Sequence, residues 1–128
     1  MNWSKDYEIG IKIVDQQHEK LLNMINKLEG SMGKENVLKV MGDILRGLVD
    51  YVKFHFQDEE KVMKRIAYPE LERHKKLHEE LVRQVTEILI KIKKGEVITA
   101  HELMGFLQRW LLDHIMAEDK KIGEFFFA

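Results

Sequence analysis

Apolar residues recur every three or four positions in four long stretches of the chain, which is the pattern of amphipathic α-helices. We predict helices over about residues 16–32, 36–66, 69–94 and 99–123, preceded by an extended arm over residues 1–14. Short connections between long helices make neighbouring helices antiparallel. The sequence therefore predicts an all-α fold, an antiparallel up-down-up-down four-helix bundle with an extended N-terminal arm, in a single domain over residues 1–128.

Residues that start and stop helices mark the ends of these stretches. Asp15 is a candidate N-cap for the first helix, and Thr99 with Glu102 forms a capping box before the fourth. Gly95 is a C-terminal stop for the third helix. Pro69 is the only proline, and it fits the first turn of a helix but not the interior. We therefore expect one helix to end before Pro69 and the next to begin there.

Six polar side chains fall on core-facing positions of the predicted stripes, with members on all four helices. They are His18, His55, Glu59, His74, His78 and His114. Burying such groups without a partner costs roughly 2–7 kcal/mol each, so they need a partner in common. A metal ion is such a partner, and imidazole with carboxylate but no sulfur suits iron, zinc, copper or nickel.

Asp119 does not fit the stripe of the fourth helix, which continues from Trp110 and His114 to Ala117. It follows His114 by five residues, a rotation of about 140° on a regular α-helix. A local π-type turn or an approach from the flank would bring it to the cluster, and periodicity alone does not decide whether it joins. His101, in the first turn of the same helix, is expected on the surface.

Composition excludes several classes of protein. The net charge is −1 with acidic and basic residues interleaved, so there is no basic stripe for nucleic acid. No apolar run approaches the ~20 residues of a membrane span, and the N-terminus lacks the apolar core of a signal peptide. The absence of cysteine excludes disulfides, thiolate metal sites and iron–sulfur clusters. We expect a cytoplasmic protein.

Four motifs give the chain a resemblance to a known family: VDQQH at 14–18, HFQDEE at 55–60, a pair of histidines four apart at 74–78, and HIMAED at 114–119. With these motifs the whole chain resembles the hemerythrins, and closely their single-domain bacterial form. The resemblance implies that Asp119 is a bridging ligand. It also implies a cofactor of two iron ions, joined by an oxo or hydroxo bridge.

The resemblance divides the ligands between the two irons. One iron would take His74, His78 and His114, the other would take His18 and His55, and Glu59 and Asp119 would bridge them. Three bridges and three imidazoles fill six positions, whereas three bridges and two imidazoles leave one position open. The resemblance implies that O2 binds reversibly at that position. We therefore expect an oxygen carrier, storage or delivery protein with no catalytic residues, and not an enzyme.

Apolar residues flank the ligands in the sequence, and the resemblance places similar residues around the O2 pocket. They are Phe56, Trp110, Leu111 and Ile115. A dry pocket without a proton donor would disfavour O–O cleavage and slow the loss of reduced oxygen species. Ordinary core packing would explain the same four residues.

Three other functions stay open from the sequence. They are an oxygen or redox sensor that acts through a separate protein partner, a diiron enzyme acting on peroxide or nitric oxide, and an interaction module that holds zinc or no metal. Diiron oxidases and oxygenases of the ferritin-like class use Glu-x-x-His motifs. No glutamate in this chain lies three residues before a histidine, which argues against that class.

Overall fold

The computed structural model describes residues 5–128, apart from the side chains of Leu111, Leu112, Ile115 and Met116. Every regular element in this part of the chain is helical, so the predicted all-α fold is confirmed. The elements are a 3-10 turn at Lys5–Tyr7, α1 at Lys12–Ser31, α2 at Val37–Arg65, α3 at Leu71–Lys93, α4 at Ala100–Arg109, a π-helical segment at Trp110–Asp119, and α5 at Lys120–Phe126.

The last three elements follow one another without a break and form the fourth long helix of the bundle. α1 packs against α2 and α4, and α2 packs against α3 and α4. Among the described helices, none combines the length and the apolar composition needed to cross a membrane.

The first helix begins earlier than the sequence predicts. α1 starts at Lys12, so the N-cap position belongs to Ile11 and the prediction of Asp15 as N-cap is wrong. The Asp15 carboxylate instead accepts hydrogen bonds from the backbone N–H groups of Ile9 and Gly10, at 2.8 and 3.1 Å. Asp15 thus ties the preceding segment to the first turn of the helix, and the arm is shorter than predicted. Residues 1–4 of that arm lie outside the described residues.

The other predicted helix ends differ from the observed ones by at most three residues. The turn between α2 and α3 contains Pro69, although α3 begins at Leu71 rather than at the proline itself. Thr99 caps α4 as predicted, because its hydroxyl accepts a hydrogen bond from the backbone N–H of Glu102 at 3.1 Å. Gly95 follows α3 with φ +82°, a conformation that glycine adopts without strain.

The fourth helix changes its winding between Trp110 and Asp119, where the backbone is π-helical. Hydrogen bonds of a π-helix join residues five apart, so His114 and Asp119 come to lie on the same side. Both are buried, whereas Ala117, predicted to face the core, is exposed. Asp119 therefore reaches the cluster through a π-type turn and not by an approach from the flank.

Two apolar clusters fill the bundle, one on each side of a polar layer. The larger cluster is built from α1, α2 and α4, with Val85 from α3 and Trp110 from the π-helical segment. The smaller one consists of Met63, Tyr68 and Ile122. Along α2, Glu59 lies between Phe56 of the larger cluster and Met63 of the smaller. The polar residues therefore interrupt the core rather than lie at its edge.

α3 contributes one buried apolar side chain to these clusters, and four partly buried ones pack against them. Its buried residues are His74, His78 and Val85, while Ile92, near its C-terminal end, is 41% exposed. Two of the three buried side chains of α3 are therefore polar. The docking of this helix therefore depends on its two histidines as well as on its apolar face.

Gly123 gives a test of how the N-terminal segment docks on α5. A Cβ at Gly123 would lie 2.0 Å from the backbone oxygen of Ile9, so Gly123→Ala forces the two segments apart. We expect the free energy of unfolding to fall by about 1–3 kcal/mol, as for other overpacked sites. Urea denaturation of the variant and the wild-type protein measures the difference.

Gly30→Ala is the matched control, because a Cβ at that position in α1 meets no atom within 4 Å. It should leave stability unchanged or raise it by about 0.5–1 kcal/mol, since alanine is the better helix former. Equal stability of the Gly123→Ala and wild-type proteins would contradict the packing of the arm on α5.

Candidate metal centre

Seven polar side chains meet in the layer between the two apolar clusters. Each is at most 5% exposed, and they come from α1, α2, α3 and the π-helical segment. They are His18, His55, Glu59, His74, His78, His114 and Asp119. The structure therefore brings together every residue that the sequence and the resemblance proposed as a ligand, while His101 is exposed on α4.

The seven residues form two overlapping groups that share two carboxylates. Within the groups, one potential ligand atom from each residue lies within 4.8 Å of the others. One group has three histidines and the other has two, and Glu59 and Asp119 belong to both. The histidines of the first group are His74, His78 and His114, and those of the second are His18 and His55.

Glu59 directs one carboxylate oxygen to each group. Its Oε1 lies 2.7 Å from Nε2 of His74 and 3.0 Å from Nε2 of His78. Its Oε2 lies 3.4 Å from Nε2 of His55 and 3.6 Å from Nε2 of His18. The carboxylate thus spans the two groups.

Asp119 repeats this arrangement from the opposite helix. Its Oδ1 lies 2.9 Å from Nε2 of both His74 and His114, and its Oδ2 lies 2.8 Å from Nε2 of His18. Two carboxylates that each offer one oxygen to each group have the arrangement of bridging ligands.

Several of these short approaches lack the geometry of a hydrogen bond. Among the described residues, the buried atoms without a hydrogen-bond partner include both ring nitrogens of His18, Oε2 of Glu59 and both carboxylate oxygens of Asp119. Buried charges are stable only when they are paired or coordinate a metal. Convergent nitrogen and oxygen lone pairs satisfy that condition around a cation, so the residues present fit a metal site.

Outer residues orient two of the histidines. Nδ1 of His55 donates to Oε1 of Gln17 at 2.7 Å, and Nε2 of Gln17 donates to Asp58 at 2.7 Å. Nδ1 of His78 donates to Oε2 of Glu60 at 2.8 Å. Each bond leaves Nε2 as the free ligand atom, which is the usual role of such partners at metal sites.

Gln17, Asp58 and Glu60 were not identified as functional residues from the sequence. All three lie inside the motifs that carry the resemblance, next to or near a ligand. Their neighbourhood in the sequence was the available signal, but only the fold shows which of them reach a histidine.

Aromatic side chains cover the centre on the side of the larger apolar cluster. The Phe56 ring stacks on His78 with centroids 3.9 Å apart, and it lies 5.8 Å from the Trp110 ring. Both are buried, as expected for a dry pocket. The side chains of Leu111 and Ile115, also predicted to line it, lie outside the described part of the structure.

Comparison with known proteins gives the family of this chain. Residues 9–126 match the family model described as hemerythrin HHE cation binding domain. The chain belongs to the hemerythrin family. Bacteriohemerythrin of Pseudomonas aeruginosa (strain LESB58) is 37% identical over 91% of this chain and 75% of its own length. Bacteriohemerythrin of Methylococcus capsulatus (strain Bath) is 31% identical over 96% of this chain and 94% of its own length.

The fold agrees with this assignment. A crystal structure of wild-type hemerythrin matches with a TM-score of 0.87 at 30% identity, covering 100% of this chain and 98% of that one. The layer of seven polar residues is therefore a cluster suitable for metal binding, on a bundle of the hemerythrin family.

The histidines of this hemerythrin fold do not share one protonation state. Burial lowers the pKa of His55 to about 4. Burial also disfavours the charged forms of His18 and His74, but the adjacent carboxylates outweigh it and raise the pKa of both to about 9. The same competition raises the pKa of His114 to about 10. Three histidines therefore hold protons at neutral pH until a metal ion displaces them.

Glu60 tests the role of the outer residues. Glu60→Ala removes the acceptor of His78 Nδ1, so the ring loses its fixed orientation. We expect metal affinity to fall by about 10–100-fold, as for other such partners. A titration of protein stripped of metal with Fe(II) under argon measures it. Glu79→Ala, at an exposed neighbouring position on α3, is the control and should keep wild-type affinity.

Proton release tests the charge state of the cluster. The pKa values of about 9 for His18 and His74 and about 10 for His114 keep all three rings protonated at pH 7.5. Loading stripped protein with Fe(II) under argon should therefore release about three protons from these rings. Because protons compete with the metal, affinity should increase with pH up to about pH 10, the pKa of His114.

Calorimetry in two buffers of different ionisation enthalpy counts the protons released at pH 7.5. Histidines with the ordinary pKa of about 6.5 would already be neutral and would contribute almost none. Release of fewer than two protons would contradict the account.

Proposed function

We propose that this protein is a non-haem diiron protein that binds O2 reversibly and serves in oxygen storage, transport or delivery. The observation that supports this proposal best is the division of five histidines into groups of three and two around the shared carboxylates of Glu59 and Asp119. Membership of the hemerythrin family supports iron as the metal.

The unequal division of histidines is what makes a binding site. The three histidines of one group and the two of the other would each hold one metal ion, with Glu59 and Asp119 serving both, so the group with two histidines would leave room for an exogenous ligand. An open position marks a functional metal site rather than a structural one. Two iron ions held by these residues would supply the two electrons for reversible binding of O2.

The side chains of this chain hold, orient and shield the site. His18 and His55 define the side at which the ligand enters, and Gln17 fixes the orientation of His55 through a bond of 2.7 Å. Phe56 and Trp110 keep water from the centre, because both are buried against it. Five imidazoles and two carboxylates form a less anionic set than the four carboxylates of ferritin-like oxidases, which favours binding of O2 over its activation.

The test is a visible spectrum of the iron-loaded, dithionite-reduced protein before air, after air and again under argon. We expect a charge-transfer band that forms with O2 and disappears on purging. Glu59→Ala, which removes one shared carboxylate, should stay helical by circular dichroism but lose iron and show no band. Glu79→Ala should behave as wild type, because Glu79 is exposed outside the cluster.

Other outcomes would assign the site differently. Irreversible oxidation in air, or no band at all from iron-loaded protein, would contradict reversible binding. Sustained turnover of peroxide would favour an enzyme. A change in association with another protein on addition of O2 would favour a sensor.

A further inference from the structure

Tyr51 is a buried tyrosine that was not predicted as a site residue and is not one of the seven clustered side chains. It lies on α2 one turn before His55 and is 8% exposed. Its ring stacks on the His55 ring with centroids 5.2 Å apart and an interplanar angle of 13°. The rings of Tyr51 and Trp110 are T-shaped relative to each other, with centroids 6.2 Å apart. Tyr51 thus belongs to the wall of the site on the side of the two-histidine group.

The hydroxyl of Tyr51 has no hydrogen-bond partner among the described residues. In that part of the chain, the other buried side-chain atoms without a partner belong to His18, Glu59 and Asp119. All of these are residues of the metal cluster. A buried hydroxyl without a partner is unfavourable, so the native protein is expected to satisfy it when the site is in use. A ligand bound in the site would be a partner that Tyr51 and the cluster have in common.

The hydroxyl of Tyr51 is a hydrogen-bond donor. A tyrosine phenol has an ordinary pKa of about 10 and therefore keeps its proton at neutral pH. A protonated phenol beside a ligand that carries negative charge donates to that ligand, and such charge-assisted bonds are stronger than neutral ones.

We propose that the Tyr51 hydroxyl donates a hydrogen bond to the small ligand that binds on the His18 and His55 side of the cluster. The ligand is O2 or a small anion such as azide. This inference rests on the proposed function. It departs from the expectation of a pocket without a proton donor, and it makes Tyr51 a specificity-determining residue that favours ligands able to accept a hydrogen bond.

The experiment is an azide titration of the iron-loaded, oxidised protein, followed by its visible spectrum, for wild type, Tyr51→Phe and Tyr68→Phe. Tyr68→Phe is the control, because it removes the same atom from a tyrosine of the smaller apolar cluster, on the other side of the polar layer. Tyr51→Phe should raise the Kd for azide by at least about 10-fold, the effect of one hydrogen bond to a charged group. Tyr68→Phe should leave it unchanged.

Two further readouts separate ligand binding from structure. The thermal midpoint of the stripped Tyr51→Phe protein should equal or exceed that of wild type, because the hydroxyl has no protein partner to lose. In wild type, exchange of H2O for D2O should shift the azide stretching frequency, and this shift should be absent in Tyr51→Phe.

An unchanged azide Kd in Tyr51→Phe would overturn the proposal. So would a lower thermal midpoint of the stripped variant, because it would show that the hydroxyl is bonded within the protein. If wild type itself binds no azide although it is loaded with iron, the proposed function fails, and the role of Tyr51 fails with it. Azide binding that is equally tight with and without the hydroxyl removes only Tyr51.

Discussion

Two carboxylates buried among five imidazoles are the constraint on which the rest of this structure depends. Glu59 and Asp119 are fully buried, and nothing else in the described interior offers them enough hydrogen bonds. Desolvated charges of this kind cost several kcal/mol unless a cation compensates them. The polar layer is therefore part of the core. It also helps to hold α3, because two of the three buried side chains of that helix belong to the cluster.

The π-helical segment follows from the same constraint. A regular α-helix would turn Asp119 about 140° away from His114, and only one of them would reach the centre. The wider winding between Trp110 and Asp119 brings both carboxylate and imidazole inward and turns Ala117 outward. π-helical turns are uncommon and frequently occur at functional sites, where a binding requirement outweighs the better packing of an α-helix.

Much of the fold could be predicted from the sequence because apolar periodicity reports which helix face is buried. The same periodicity also revealed the polar cluster in the sequence, since His55 and Glu59 are in phase with apolar neighbours. Periodicity failed at Ala117, where the helix changes its winding. The N-cap prediction failed at Asp15, because its carboxylate accepts hydrogen bonds from the segment before α1 and does not cap the helix. The assignment of Asp119 as a candidate ligand came from the family resemblance and not from periodicity.

Contacts between side chains on different helices could be identified only from the folded structure. Glu60 and Gln17 reach histidines on other helices, and no local pattern specifies such contacts. Tyr51 reads in the sequence as one more large core residue. Its significance depends on where its hydroxyl ends, and only the packed structure shows that this atom is buried without a partner.

The most direct test of the account is a crystal structure of the iron-loaded protein with anomalous scattering measured at the iron edge. We predict two peaks per chain, separated by about 3.5–4 Å as in other two-metal sites. One peak should lie beside His74, His78 and His114, and the other beside His18 and His55, with Glu59 and Asp119 between them. A single peak, or iron bound outside this layer, would contradict the account.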